Sequence, residues 1–143
     1  MIVYLDSSVA ARAYLADESG HLDAVAMLED PDVGLITGTW SRIEISGAIV
    51  RAARAGRGDE KGLLSLLDAD LATDGPVTVI AADREDVETQ ALQLVREHAI
   101  RAMDAWHLAT ARLVLPSIVE PVGFATRDHA QSLVAAALGL QAV

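Results

Sequence analysis

The chain has 143 residues, no cysteine, a formal net charge of −10 and an apolar fraction of 52%. This length and composition predict one globular domain over residues 1–143, because there are enough apolar residues to form a single core. The lack of cysteine excludes disulfides, thiolate metal sites and cysteine nucleophiles, and the negative charge argues against general affinity for nucleic acids.

The chain shows no sign of a targeting or membrane segment. Residues 1–6 lack a basic stretch followed by a long apolar one, so they are not typical of a secretory signal. No apolar run approaches the roughly 18 residues that a membrane-spanning helix needs. We therefore expect a soluble cytoplasmic protein that does not contact a membrane.

Strand-like and helix-like segments alternate along almost the whole chain. Short apolar runs predict the strands, and apolar residues at helical spacing, bounded by capping residues, glycine or proline, predict the helices. Ser7 and Ser8 can cap the first helix, and the many leucines after Asp59 suggest a helix with a buried face. In chain order we expect strand 2–5, helix 9–15, helix 21–28, strand 33–37, a helix from 41 that ends at 56–58, a helix from 59 through 71 that ends at 74–76, strand 77–80, helix 83–98, helix 101–115, strand 119–125, helix 128–138 and an edge strand 141–143. Pro121 should interrupt the strand over 119–125 or delay its start.

This alternation predicts an α/β fold in which a parallel sheet of four to five strands is flanked by helices on both faces. In such sheets, ligands bind beyond the carboxyl ends of the strands. Asp6 and Asp128 both lie just past predicted strand ends. The sequence therefore places two acidic side chains at the edge where a site is expected.

Four acidic residues lie at the edges of apolar segments: Asp6, Glu44, Asp104 and Asp128. A carboxylate at the border of a core loses solvation worth several kcal/mol unless a cation or strong hydrogen-bond donors lie beside it. If the four converged, they would need a cation, and oxygen-only ligands suit Mg²⁺ or Mn²⁺ better than zinc or copper. They are therefore candidate catalytic and metal-binding residues.

Each acid also has an ordinary structural explanation. Asp6 fits a turn, Asp104 the first turn of a helix, and Asp128 a helix N-cap. Glu44 is spaced to form a capping box with Ser41. These roles are commoner than metal binding for any single acid, so the functional interpretation depends on the four acting together.

Hydroxyl groups accompany two of the acids and favour a joint role. Ser8 follows Asp6 by two residues, and Thr126 precedes Asp128 by two. Hydroxyls in such positions can orient a carboxylate or a water molecule. We therefore expect Ser8 and Thr126 to support the acids.

The segment from residue 42 to 61 is locally basic in an otherwise acidic chain. Arg42, Arg51 and Arg54 are candidate contacts for RNA phosphates or for a protein partner. The ordinary alternative is a solvated helix face whose charges contact only water.

Four stretches of the sequence carry a resemblance to a known family. They are residues 4–8 (YLDSS), 41–44 (SRIE), 103–111 (MDAWHLATA) and 124–128 (FATRD), the most specific part being 104–109. In order and spacing, the chain resembles the PIN-domain ribonucleases, and within them the VapC-type toxins of toxin–antitoxin pairs. The resemblance covers nearly the whole chain.

The resemblance implies a PIN domain over residues 1–143 in which Asp6, Glu44, Asp104 and Asp128 surround one or two Mg²⁺ or Mn²⁺ ions. It implies a metal-dependent endoribonuclease that hydrolyses phosphodiester bonds of transfer RNA or other structured RNA. It also implies a VapB-type antitoxin as inhibitor and a toxin homodimer within a larger complex. The alternative is an inactive PIN-like domain that only binds a protein partner.

Two other enzyme-like classes fit the motifs poorly. A phosphoryl-accepting signalling domain uses a lysine at a late strand end, whereas the single lysine here, Lys61, lies in a helical region. A haloacid-dehalogenase-like phosphatase needs a second aspartate where this chain has Ser8.

The histidines and tryptophans are weaker candidates for a functional role. We expect His107 to pack or hydrogen-bond inside the fold, and His129 to contact solvent or substrate. Trp40 and Trp106 are expected to pack in the core or at the start of a helix rather than to stack on bases.

Overall fold

Five short strands form one parallel sheet in the computed structural model, which describes all residues 1–143. The strand order is β3-β2-β1-β4-β5, with the first strand at the centre. This confirms the predicted α/β class, parallel sheet and strand number. The strands are β1 (Ile2–Leu5), β2 (Gly34–Gly38), β3 (Val77–Ile80), β4 (Val122–Ala125) and β5 (Gln141–Ala142).

Seven α-helices and two short 3-10 turns connect the strands. None of the helices combines the length and apolar composition needed to cross a membrane. The helices are α1 (Ser7–Ala10), α2 (His21–Glu29), α3 (Trp40–Arg54), α4 (Glu60–Asp70), α5 (Arg84–His98), α6 (Ala102–Val114) and α7 (His129–Ala137), and the 3-10 turns are Ala11–Ala13 and Leu115–Ser117.

The side chains of β1 alternate between two apolar layers, as the pleat of a strand requires. Tyr4 belongs to the layer that includes Phe124 and residues of α5, α6 and α7. Val3 and Leu5 belong to the opposite layer, with residues of α1, α3 and α4. Helices therefore cover both faces of the sheet, and burying each large apolar side chain contributes about 1.5–3 kcal/mol.

The first helix differs from the sequence-based expectation, whereas β4 and α4 agree with theirs. The helix expected over 9–15 is the single turn of α1 followed by a 3-10 turn, and the Asp6 side chain caps it rather than a serine. β4 begins at Val122, which confirms the late start expected from Pro121, because proline lacks the N–H that a ladder needs. α4 buries the leucine face that the sequence predicts: Leu67 is fully buried and Leu63 and Leu64 pack against the same core cluster, whereas Leu66 is 57% exposed.

Candidate active site

A cleft of about 510 Å³ opens at the carboxyl ends of β1 and β4. Asp6 directly follows β1, and Asp128 caps α7 shortly after β4. Glu44 lies near the start of α3, and Asp104 in the first turn of α6. The structure therefore brings all four candidate acids to one cleft. Its lining consists of Asp6, Ser7, Ser8, Ala11, Glu44, Ala48, Arg51, Arg101, Ala102, Met103, Asp104 and Asp128.

Asp6 is the most deeply buried of the four acids, with 4% of its surface exposed. Its Oδ2 accepts hydrogen bonds from the backbone N–H and the hydroxyl of Ser8, at 3.1 and 2.5 Å. Its Oδ1 accepts a longer bond, 3.3 Å, from the side-chain amide of Gln131. These donors hold the carboxylate in one orientation and offset part of its lost solvation.

Glu44 is held by a buried histidine. Nε2 of His107 lies 2.6 Å from Oε2 of Glu44 and 3.7 Å from Oδ1 of Asp6, and its Nδ1 lies 3.0 Å from the Tyr4 hydroxyl. An ionised carboxylate only accepts hydrogen bonds, so Nε2 carries the proton that it donates to Glu44. A chain of hydrogen bonds thus runs from the sheet core to the cleft.

The charge states of Glu44 and Tyr4 follow from their surroundings. Burial raises the pKa of Glu44, but the hydrogen bond and charge of His107, with a hydrogen bond from Ser7, outweigh burial and leave the pKa below its usual value. Burial, and then the nearby charge of Asp6, raises the pKa of Tyr4 far above its usual value. Glu44 is therefore an anion at neutral pH, and Tyr4 keeps its proton.

Arg101 bridges the other two acids. Its Nε lies 2.8 Å from Oδ2 of Asp104, and its Nη2 lies 2.8 Å from Oδ2 of Asp128. The hydrogen bond to Asp104, followed by the charges of Asp104 and Asp128, raises the pKa of Arg101. The backbone N–H of Gln131, opposed by slight burial and assisted by the charge of Arg101, lowers the pKa of Asp128. The guanidinium therefore neutralises one side of the cleft.

The two candidate hydroxyls lie where the sequence suggests, but they act differently. Ser8 donates directly to Asp6. Thr126 donates to Oε1 of Gln131 and accepts the backbone N–H of Asp128, at 2.5 and 3.0 Å. Thr126 therefore orients the amide that contacts Asp6, and it reaches no carboxylate itself.

Gln131 and Arg101 are site residues that the sequence did not single out. Gln131 is fully buried and joins Asp6, Thr126 and the carbonyl oxygen of Asp104. Its one sequence signal is a polar residue on the face of α7 that also carries Val134 and Ala135. Arg101 precedes Asp104 by three residues, a spacing at which helical ion pairs form.

Of the three candidate arginines on α3, only Arg51 lines the cleft. Arg42 lies 3.9 Å from Asp68 of α4 in an exposed ion pair, and Arg54 does not line the cleft. The single basic surface suggested by the sequence is therefore divided in the structure.

The capping alternatives have mixed outcomes. Asp6 and Asp128 do cap helices while they also line the cleft. The capping box of Ser41 and Glu44 is wrong: no side chain caps α3, because Ser41 is buried and bonds to Thr37 at 2.6 Å. Glu44 is therefore free to face the cleft, where it meets His107.

The two tryptophans and the two candidate histidines are arranged much as expected. Trp40 and Trp106 contact each other edge to face, with ring centroids 5.9 Å apart, although Trp40 is 42% exposed. His129 is exposed beside Asp128, whereas His107 is buried and hydrogen-bonded.

The donor set of the cleft fits a hard divalent cation, because it consists of carboxylate oxygens. In the arrangement described here, no three acidic or histidine side chains converge closely enough to hold a metal ion. Arg101 and His107 instead provide the partners of Asp104, Asp128 and Glu44. A metal would have to take the place of Arg101 beside two of the acids.

Comparison with known proteins identifies the family. The sequence model of the PIN domain matches residues 3–136. No curated protein matches the chain. Among solved structures, VapBC-1 from nontypeable Haemophilus influenzae includes a chain of similar fold, with a TM-score of 0.60 and 14% identity over 99% of this chain and 98% of that one. The chain therefore belongs to the PIN domain family, whose members are generally nucleases.

Proposed function

We propose that this protein is a metal-dependent endoribonuclease and the toxin of a VapBC-type toxin–antitoxin pair. Its substrate would be transfer RNA or another structured RNA, and a cognate antitoxin would inhibit it. The observation that carries the proposal is the meeting of Asp6, Glu44, Asp104 and Asp128 in one cleft of a PIN domain.

The four acids are the groups that would hold Mg²⁺ or Mn²⁺. Such an ion would lower the pKa of a bound water and stabilise the charge that develops on the phosphate oxygens. The protein orients two of the acids before any ion arrives: Ser8 and Gln131 hold Asp6, and His107 holds Glu44. A pre-oriented set of ligands reduces the reorganisation that binding would otherwise require.

Two further features support a nucleic-acid substrate and a protein inhibitor. Arg51 lines the cleft without an ion-pair partner, so it is available to a phosphate. Arg101 demonstrates that a guanidinium fits between Asp104 and Asp128. An arginine of an antitoxin could make the same charge-assisted hydrogen bonds and block the cleft.

Cleavage of RNA by the purified chain tests the proposal. The protein is incubated with total RNA and with transfer RNA, in Mg²⁺, in Mn²⁺ and in chelator, as wild type and as Asp6→Asn. We expect cleavage that needs the metal. It should fall at least about a hundredfold in Asp6→Asn, because loss of a group that only supports a metal ligand already costs up to about a hundredfold. Glu88→Gln, an exposed acid on α5, is the matched control and should cleave as wild type.

Cleavage that persists in chelator, or that is undiminished in Asp6→Asn, would contradict the metal mechanism. If no RNA is cut under any metal condition while the protein still binds a purified antitoxin, the chain is the inactive binding module instead. Sedimentation of the chain alone and with the antitoxin tests the proposed homodimer and the larger complex.

A further inference from the structure

A second cavity, of about 220 Å³, is lined by two arginines that hydrogen-bond to Ser8, a residue of the cleft. Ser8 lines the cleft, while its carbonyl oxygen accepts a 3.2 Å hydrogen bond from Nε of Arg12. Its hydroxyl accepts a 3.3 Å bond from the backbone N–H of Arg127. Both arginines line the second cavity, so Ser8 connects its arginines to Asp6, to which the Ser8 hydroxyl also donates.

The two guanidinium groups converge on one point in this cavity. A β-carbon placed on Gly20 would lie 3.4 Å from Nη1 of Arg127 and 3.7 Å from Nη1 of Arg12. Gly20 has no side chain and a φ of 85°, a conformation that favours glycine. The space between the two arginines therefore stays open.

Neither arginine has an anionic partner. No ion pair of the protein includes Arg12 or Arg127. Nη1 of Arg12 is buried from solvent and has no hydrogen-bond acceptor. A buried charged donor without an acceptor is unfavourable, so this atom indicates that an acceptor belongs there.

The one acidic side chain that lines the cavity is Asp23, in the first turn of α2. It is exposed and makes no ion pair with either arginine. Asp23 therefore leaves the two guanidinium groups uncompensated, and its own charge would repel an anion in the cavity.

We infer that the cavity between Arg12 and Arg127 is a phosphate-binding site. Guanidinium groups match the geometry of phosphate oxygens and bind them through paired, charge-assisted hydrogen bonds. This inference rests on the proposed function for its ligand: the phosphate is a backbone phosphate of the RNA, adjacent to the one that is cleaved. The site would set the position of the RNA strand relative to Asp6.

Binding of inorganic phosphate, followed by NMR titration in the presence of chelator, tests the site without any cleavage. We expect saturable shifts at residues 12, 20 and 127, and affinity at least about tenfold weaker in Arg12→Gln/Arg127→Gln, one charge-assisted contact being worth about a factor of ten or more. Asp23→Asn should bind phosphate more tightly, because a like charge is removed. Arg84→Gln, an exposed arginine on α5, is the matched control.

Two results of this titration would overturn the inference. One is an absence of saturable binding to the wild type, or equal binding by the double variant. The other is an Asp23→Asn protein that melts at a lower temperature and binds phosphate no better, because Asp23 would then be the partner of the arginines. Thermal melting of every variant separates lost binding from lost folding.

A second arm identifies the source of the phosphate. Binding of a single-stranded RNA oligomer in chelator is measured by fluorescence anisotropy over a range of salt concentrations. Loss of one phosphate contact should reduce the slope of log affinity against log salt by about 0.7 in the double variant. In the opposite outcome, the double variant shows the same slope as the wild type, although the wild type binds inorganic phosphate through the two arginines. That result would assign the site to a free phosphate and overturn the RNA assignment.

The outcome for the site and the outcome for the proposed function are separable. If the wild type binds phosphate through the arginines but cuts no RNA, the proposed function fails and the site stands. If the wild type cuts RNA and the double variant does so with the same KM and kcat, the site assignment fails and the proposed function stands.

Discussion

Glu44 and His107 are 63 positions apart in the chain, yet Nε2 of His107 donates a 2.6 Å hydrogen bond to the Glu44 carboxylate. His107 is 1% exposed, and its other ring nitrogen contacts the hydroxyl of Tyr4 in the central strand. The pair ties a carboxylate of the cleft to the core of the sheet. Glu44 is therefore oriented by a side chain of α6 that contacts Tyr4 of β1, rather than by its own helix.

Replacement of His107 by alanine should lower RNA cleavage by about 10- to 100-fold, the range found when a group that orients a metal ligand is removed. Glu44 loses the hydrogen bond and charge of His107 and keeps only the hydrogen bond from Ser7, so the pKa of its carboxyl should rise because burial is then less opposed. Cleavage rates and titration of Glu44 by NMR measure the two effects. His129→Ala, which removes an exposed histidine at the same rim, is the control. Equal losses in both variants would contradict the role of His107.

Replacement of Arg101 by alanine should strengthen Mn²⁺ binding severalfold, because the ion no longer competes with a guanidinium for Asp104 and Asp128. Isothermal titration calorimetry with Mn²⁺ measures the affinity. Without metal, the same variant should melt at a lower temperature in low salt, since two neighbouring carboxylates lose their shared cation. Arg84→Ala controls for the loss of one positive charge. Unchanged Mn²⁺ affinity would show that Arg101 does not occupy the metal position.

Replacement of Gly38 by alanine should destabilise the protein and the site together. The new β-carbon would lie 2.8 Å from the hydroxyl oxygen of Tyr4, closer than packed atoms tolerate. Displacement of Tyr4 costs about 1–3 kcal/mol, as overpacked cores do, and disturbs the contact with His107. Denaturant unfolding gives the free energy of unfolding.

Gly34→Ala is the matched control for Gly38, because it lies in the same strand. Its new β-carbon would make an ordinary contact, 3.5 Å from a side-chain carbon of Ile2. We expect nearly unchanged stability for this variant. A Gly38→Ala protein that is as stable as Gly34→Ala would show that Tyr4 can move without consequence.

Replacement of Gln131 by leucine should cost about 1–3 kcal/mol of unfolding free energy, because the half-buried hydroxyl of Thr126 loses its acceptor and the buried Asp6 loses a donor. Cleavage should fall as well, since Asp6 is then held by Ser8 alone. Denaturant unfolding and cleavage assays measure the two effects. Gln93→Leu, on the exposed face of α5, removes a similar amide and should be nearly neutral.

The order of the elements follows from local patterns in the sequence. Apolar runs such as Ile2–Leu5 and Val77–Ile80 predicted strands that the structure confirms. Capping aspartates marked the helix that begins after Asp83. A prediction failed where one element meets the next: α1 is a single turn, shorter than its pattern suggests.

The sequence by itself determined that a parallel sheet places Asp6 and Asp128 at one edge, and motif order added Glu44 and Asp104 to the same set. Tertiary structure decided which groups hold these acids. His107, Gln131 and Arg101 each join residues that are remote in the chain or on different elements, and such contacts leave no periodic pattern. Spacing along the chain indicates which residues share a face of one helix or strand. Hydrogen bonds between different elements form only once the helices have packed on the sheet.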